Sequence, residues 1–235
     1  MLVSAATSFI TAAFGIGGGV VLIGILATLL PPAALIPVHG LVQFGSNVGR
    51  LVIMRAHVVW TVFPAFLAGN LLGAATGGLI AVNLPAPAVQ VGIGAFILFS
   101  VYMKIPDIGR GAGWVAGAIA SFLAMFFGAT GPFVAAYVWT LKLGRMQHVA
   151  THAAFMTAQH LIRVLAFGLL GFVYGPYLPL IAAMIATGFM GTIIGRLVLM
   201  RINDGKFRWA LNAILTVLAL RLIWSGAASA FDEFN

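Results

Sequence analysis

Two stretches of the sequence are longer than a membrane is thick and contain almost no charge. Residues 58–82 carry no Asp, Glu, Lys or Arg, and residues 164–199 carry only Arg196. About 20 apolar residues are enough for a helix to cross the hydrocarbon core of a bilayer. Because the apolar residues run continuously rather than alternating with polar ones, they indicate helices and not the strands of a barrel. The sequence therefore predicts an all-α polytopic membrane protein.

The composition supports this class. Only 7% of the 235 residues are charged, whereas a soluble domain carries roughly 25%. The net charge of +8 comes from Lys and Arg that are scattered between apolar segments, which indicates membrane orientation rather than binding to nucleic acid. The absence of cysteine excludes disulfides and Cys-based metal sites. The first residues lack a basic region, so we expect them to be part of the fold and not a cleaved signal.

The pattern of apolar runs and breaks predicts ten helical segments. They are residues 2–14, 18–30, 33–54, 58–81, 86–103, 112–127, 132–142, 146–171, 177–200 and 207–227. The first two, and likewise the pair 112–127 and 132–142, are too short to cross alone, because a helix of this length rises roughly 20 Å against a core of about 30 Å. Each short pair is either one broken spanning helix or a re-entrant hairpin.

The positions of the basic loops favour hairpins. If both short pairs are hairpins, every loop that contains Lys or Arg lies on one face of the membrane. These loops are residues 55–57, 104–110, 142–145 and 201–208. If each pair spans instead, the basic loops divide between the two faces. Since Lys and Arg concentrate in cytoplasmic loops, we predict hairpins, with the N- and C-termini in the periplasm.

The hairpins make the two halves of the chain inverted repeats. We predict a first transmembrane repeat at residues 1–103, a cytoplasmic linker at 104–111 and a second transmembrane repeat at 112–235. Each repeat is a re-entrant or broken helical hairpin followed by three spanning helices. An offset of 113 residues matches Phe14 with Phe127, Gly18 with Gly131, His39 with His152 and Arg50 with Arg163, and a further shift of five matches Gly73 with Gly191 and Gly77 with Gly195.

Glycine interrupts both short pairs at matching places. The stretches FGIGGGVV (14–21) and FGATGPFV (127–134) lie inside apolar runs, where glycine destabilises a helix. Such a break ends one half-helix and begins another, which leaves unpaired N–H groups and the positive end of a helix dipole in place to attract anions. Inverted repeats with interrupted helices in equivalent positions are typical of secondary transporters that bind substrate near the bilayer midplane.

A stripe of polar residues follows each break, in VHGLVQFGSNVGR (38–50) and THAAFMTAQHLIR (151–163). Such a stripe in a membrane helix is costly unless it faces protein or a water-filled cavity. The candidate substrate-binding residues are Gly17, Gly18, Gly19, His39, Gln43, Asn47, Arg50, Thr130, Gly131, His152, Gln159, His160 and Arg163. This set contains no carboxylate, which argues against a cation or metal site, whereas Arg and amide donors suit an oxyanion.

Structural roles are open alternatives for the same residues. Arg50 can extend to the cytoplasmic headgroups beside Arg55, whereas Arg163 lies roughly two turns from the nearest helix end. His39 and His152 can form hydrogen bonds between helices without touching a substrate. The glycines can serve close helix packing alone. No nucleotide fingerprint, catalytic triad or metalloprotease motif is present, so we expect neither an enzyme nor a cofactor.

The motif GIGGG (15–19) after a short apolar segment, with the weaker copy GATGP (128–132) at mid-chain, resembles the TauE/SafE sulfite exporter family. The resemblance covers essentially the whole chain, although the family often has a proline a few residues after the glycines and this chain has none before Pro31. It implies a multi-pass exporter of small sulfur-containing anions, either sulfite or organosulfonates such as sulfoacetate, in the bacterial inner membrane. An anion channel or an uptake permease with the same architecture is the alternative.

Overall fold

The computed structural model describes residues 1–14, 16–81, 86–102, 110–199, 213, 216–217 and 219–230. Within these residues the regular structure is entirely helical. The helices are α1 (Leu2–Phe14), α2 (Gly18–Leu26), α3 (Pro32–Met54), α4 (Phe63–Ala81), α5 (Ala86–Tyr102), α6 (Gly113–Phe127), α7 (Gly131–Thr140), α8 (Arg145–Leu169) and α9 (Leu178–Leu199). Residues 219–230 are helical as well. Most of the predicted linker at 104–111 and much of the predicted helix at 207–227 lie outside the described residues.

The all-helical class is confirmed, and prolines explain the two helix ends that differ most from the prediction. Helix α2 ends at Leu26 rather than at residue 30; a turn follows it, and Pro31, which disfavours the helical conformation of Leu30, keeps the helix from resuming before α3. Helix α4 begins at Phe63 rather than at residue 58, because Pro64 has no N–H and fits only the first turn of a helix.

Length and hydropathy identify one crossing helix, or two, in the described part of the chain. The segment Gly175–Val198 has a mean hydropathy of 1.9 and is long enough to cross a bilayer by itself. The segments Pro32–His57 and Trp60–Gly78 satisfy the same criterion only together, and they are bent by 119° at the break between them. Helix α8 has the length of a crossing, at 25 residues, but its histidines, Gln159 and Arg163 make it much more polar.

The first helix of each half of the chain packs against the other half. Helix α1 lies along α9, α6 lies along α4, and α3 and α8 pack against each other between these two pairs. Glycine permits both outer contacts. A Cβ atom on Gly73 would lie 2.1 Å from the carbonyl oxygen of Ala118, and a Cβ atom on Gly191 would lie 2.0 Å from that of Ala5.

These two contacts join equivalent residues. Ala5 and Ala118 are 113 residues apart, and Gly73 and Gly191 are the pair that the sequence comparison matched. The next turn repeats the pattern, because Gly77 lies over the carbonyl oxygen of Phe122 and Gly195 over that of Phe9, which are again 113 residues apart. The halves are therefore interlocked through the same glycine contact made twice.

Apolar side chains fill the space on both sides of the central helices. One cluster surrounds Leu22 and Ile23 of α2 and Leu35 of α3. A second joins α4 to α8, where the rings of Phe66 and Phe155 stack with centroids 4.0 Å apart, and a small third cluster joins Met54 of α3 to Val149 and Ala150 of α8. Between the clusters, α3 and α8 hold their polar faces against the two helix breaks.

We expect Gly73→Ala and Gly191→Ala each to lower the free energy of unfolding by about 1–3 kcal/mol, because the added methyl group collides with a backbone carbonyl that cannot move alone. Thermal unfolding of the purified protein, followed by circular dichroism, measures the loss. Gly78→Ala on α4 is the matched control, since its Cβ atom would meet only side-chain tips at ordinary contact distance, Met125 at 3.4 Å and Leu170 at 3.5 Å, among the described residues. Equal stability of all three variants would contradict this packing.

Candidate functional site

Glycine is required at both helix breaks by the backbone conformation. Gly17, immediately before α2, has φ 101° and ψ −37°. Gly128, immediately after α6, has φ 73° and donates its N–H to the carbonyl of Ala124 at 3.0 Å. Residues with a Cβ atom rarely adopt positive φ. Beyond each break a new helix begins, and the N–H groups of its first turn have no partner inside that helix.

A histidine ties each polar stripe to a break. His39 Nε2 lies 2.9 Å from the carbonyl oxygen of Gly19, and His152 Nε2 lies 3.1 Å from that of Gly131. Because a carbonyl oxygen only accepts, Nε2 carries the hydrogen in both rings. Hydrogen bonds between helices, one of the two roles open from the sequence, are therefore present at both histidines.

Arg163 is completely buried and uses its guanidinium group to hold the second break. Its Nη1 donates to the carbonyl oxygen of Gly128, the residue that follows α6, and to that of Ala124, at 3.3 Å, which also accepts the N–H of Gly128. Its Nη2 donates to His160 Nδ1 at 2.6 Å and lies 3.5 Å from His39 Nδ1. One side chain thus connects the break, α8 and α3.

This arrangement leaves two histidine nitrogens of opposite character. His160 Nδ1 accepts from Arg163, so the hydrogen of the neutral ring is on Nε2, which is buried and has no partner among the described residues. In His152 the hydrogen is on Nε2, so Nδ1 presents a lone pair, and this atom is likewise buried without a partner in the described part of the chain. One ring offers a donor and the other an acceptor.

A cavity of about 20 Å³ lies between the two breaks and the two stripes. Eight of the residues predicted from the sequence line it: Gly17, Gly19, His39, Gln43, Asn47, Gly131, His152 and His160. Six further lining residues were not predicted: Thr11, Ile16, Val20, Ala129, Pro132 and Met156. In this conformation the cavity has room for about one water molecule, because one water needs a cavity of roughly 10–15 Å³.

Five predicted residues do not line the cavity: Gly18, Arg50, Thr130, Gln159 and Arg163. Gly18 packs against α1, where a Cβ atom would lie 1.8 Å from the carbonyl oxygen of Thr7. Gln159 donates from Nε2 to Thr130 Oγ1 at 2.5 Å. Arg50 is 1% exposed and donates to Asn47 Oδ1 at 3.1 Å, so its side chain is buried rather than extended over the surface. These residues lie behind those that line the cavity.

The lining residues that were not predicted are mostly apolar. Met156 lies midway between His152 and His160 at helical spacing, so it shares their face of α8, but its apolar side chain does not indicate a binding role. Ile16, Ala129 and Pro132 belong to the break segments themselves and are identifiable from their position.

Basic groups dominate the charge around the cavity. Arg50 and Arg163 are both buried, and the four acidic residues of the chain, at positions 107, 204, 232 and 233, all lie outside the described residues. The described part of the chain contains no group of three side chains that could hold a metal ion. Buried cations with no carboxylate beside them in the described part of the chain favour an anion as the occupant of the cavity.

An all-helical protein in which two interrupted helices and buried basic residues enclose one polar cavity has the features of a membrane transporter for anions. The model of the sulfite exporter TauE/SafE family matches residues 1–222, and the chain belongs to this family. Members of the family are membrane transporters rather than enzymes. Neither the curated proteins nor the solved structures include a match to this chain.

We expect Arg163→Lys to lower the free energy of unfolding by about 1–3 kcal/mol. Lysine keeps the charge but lacks the planar fork, so it leaves at least one of the two acceptors at Gly128 and His160 without a donor. Arg196→Lys, in the exposed last turn of α9, is the matched control. Chemical denaturation of both variants measures the difference, and identical midpoints would contradict the bracing role of Arg163.

Proposed function

We propose that this protein exports small sulfur-containing anions, sulfite or organosulfonates, across the bacterial inner membrane and binds them in the cavity between the two helix breaks. The observation that carries the proposal is the composition of the cavity wall. Both breaks and both polar stripes contribute to it, it includes the first turns of α2 and α7, and it contains an unpartnered donor at His160 Nε2 within the described residues.

The predicted site residues divide into two groups in this proposal. Those that line the cavity contact the anion: Gly17, Gly19, His39, Gln43, Asn47, Gly131, His152 and His160. Those behind the wall hold the first group in position: Gly18, Arg50, Thr130, Gln159 and Arg163. Arg163 then acts on the anion through His160, whose ring orientation and tautomer it sets.

The proposed architecture is a pair of inverted repeats, residues 1–103 and 112–235, each a hairpin followed by three spanning helices. The duplicated glycine contacts support it, because α1 on α9 and α6 on α4 are the pairings that a twofold axis between the repeats would produce. The central packing of α3 on α8 supports it as well, since equivalent helices meet at such an axis. Both termini are then periplasmic.

Export of an anion needs no coupled cation. With the cytoplasm negative, each exported negative charge gains about 2.3 kcal/mol per 100 mV. The cavity also favours a transporter over an open anion channel, because it has room for about one water molecule in the described conformation. Sulfite has four non-hydrogen atoms and is larger than one water molecule, so the cavity wall must widen to admit it. The amide of Gln43 lies where a Cβ atom of Gly19 would be, and its rotation opens that space.

Sulfite efflux from vesicles that contain the purified protein tests the function. We expect an inside-negative potential alone to drive efflux, and Gly131→Ala to slow it at least tenfold with unchanged thermal stability. A Cβ atom at Gly131 meets no atom within 4 Å, so the methyl group enters open space beside the cavity without disturbing the fold. Gly175→Ala, in an exposed turn, is the control. Efflux through Gly131→Ala at the parental rate would argue against this cavity as the site.

The topology can be tested with single cysteines, because the chain has none of its own. If α6 and α7 form a hairpin, Val173→Cys reacts with an impermeant thiol reagent from the periplasm, whereas His57→Cys reacts only after the membrane is opened. Both positions are exposed in turns between helices. If α6 and α7 instead cross together, the two cysteines lie on the same side, and labelling of both from one side would refute the hairpin.

A further inference from the structure

We infer that the site binds sulfite together with one proton, which lies between an oxygen of the anion and Nδ1 of His152. The inference rests on the proposed function and specifies the form of the substrate. The anion and the proton together carry one negative charge, as hydrogensulfite does. The proton comes from water when the free anion is the dianion, and no covalent bond to sulfur forms or breaks.

The unpartnered acceptor at His152 is the first reason. Its Nε2 donates to Gly131, so Nδ1 has only a lone pair, and this buried atom finds no donor in the described part of the chain. The oxygens of a fully deprotonated oxyanion also have only lone pairs. Such an anion would place acceptor against acceptor and leave a buried polar atom unsatisfied, which is costly. One proton between the two atoms removes the conflict, whichever of them it is assigned to.

The difference between the two equivalent histidines is the second reason. His39 and His152 are matched in the sequence, and each binds the break of its own half through Nε2. The Nδ1 atom of His39 lies 3.5 Å from Arg163 Nη2, a group that always donates. His152 has no such donor among the described residues. The cavity wall is therefore asymmetric, and its acceptor is on the side of α8.

The donor at His160 completes the match to a protonated anion. Its Nε2–H is suited to an anionic oxygen, as are the free N–H groups in the first turn of α2. Hydrogensulfite, in the form with a hydroxyl group, presents one donor and further oxygen acceptors. An organosulfonate presents three oxygens without a hydrogen and a carbon substituent on sulfur. The wall therefore favours sulfite over organosulfonates.

Among the described residues, no carboxylic acid lies near His152 that could supply the proton. On α8 and on α3, which packs against it, the charged and titratable residues around the cavity are His148, His160, Arg163, His39 and Arg50. Among the other segments packed on α8, α4 and α6 contain no titratable residue, the described part of α7 contains only Tyr137, and the short helix Arg55–His57 contributes the exposed Arg55 and His57. A proton taken up with the anion thus has histidines as its protein acceptors, and His152 is the one with an open lone pair on the wall.

Calorimetry of sulfite binding to the purified protein tests the inference. The titration is done at an alkaline pH at which free sulfite is the dianion, in two buffers with different heats of ionisation, so that the number of protons taken up per anion is measured. We expect about one proton for the parent and for His57→Ala, an exposed histidine that does not line the cavity. We expect uptake near zero and at least tenfold weaker binding for His152→Ala.

Methanesulfonate provides a second comparison that needs no variant. It should bind the parent at least tenfold more weakly than sulfite, because a sulfonate oxygen is a far weaker base than a sulfite oxygen and does not share a proton with His152 Nδ1. Proton uptake near zero in the parent, unchanged uptake in His152→Ala or equal affinity for methanesulfonate would each overturn the inference while leaving sulfite transport intact. If the parent binds no sulfite at all, the proposed function fails and this inference fails with it.

Discussion

The buried guanidinium group of Arg163 is the interaction on which the site depends. It donates to two carbonyls at the end of α6 and to His160, and it lies beside His39 on the neighbouring central helix. A helix that stops inside the protein leaves carbonyls such as that of Gly128 without a helical partner, and a cation with several donors in one plane can bind such a carbonyl and its neighbours together. The same contact sets the tautomer of His160. The helix break and the character of the cavity wall therefore have one cause.

The structure also depends on glycine at two kinds of place, the helix breaks and the contacts between helices. At the breaks, Gly17 and Gly128 adopt conformations that other residues avoid, which allows a new helix to begin beside the cavity. At the outer contacts, Gly73 and Gly191 allow helix backbones to approach closely, as small residues do in helix packing within membranes. The first role shapes the cavity, and the second locks each half of the chain to the other.

Much of this structure could be predicted from the sequence because it follows from local rules. Apolar runs, prolines and glycines located the helices before residue 200, and helical spacing placed His39, Gln43 and Asn47 on the face that lines the cavity. The choice of hydrogen-bond partners could not be predicted. Arg163 resembled a direct ligand in the sequence, but the carbonyls that its donors reach are brought to it by α6, some 35 residues away in the chain.

The sequence also could not predict which glycine of a break faces the cavity. Adjacent residues at the start of a helix point about 100° apart, so whether Gly17, Gly18 or Gly19 faces the cavity depends on where α2 begins relative to α1. Gly18 packs on Thr7, whereas its two neighbours line the cavity. Met156 was missed for a simpler reason, since its position on α8 was right but its side chain is apolar.

The most direct test of the central claim is to locate a bound anion. Selenite has the shape and charge of sulfite, and selenium gives an anomalous X-ray signal, so crystals grown with selenite would show where it binds. The structure predicts one strong peak between the two breaks, with a selenite oxygen about 3 Å from His160 Nε2 and another within hydrogen-bond distance of the first turn of α2. Peaks only at exposed arginines such as Arg55 and Arg196, with the cavity empty of selenium, would contradict it.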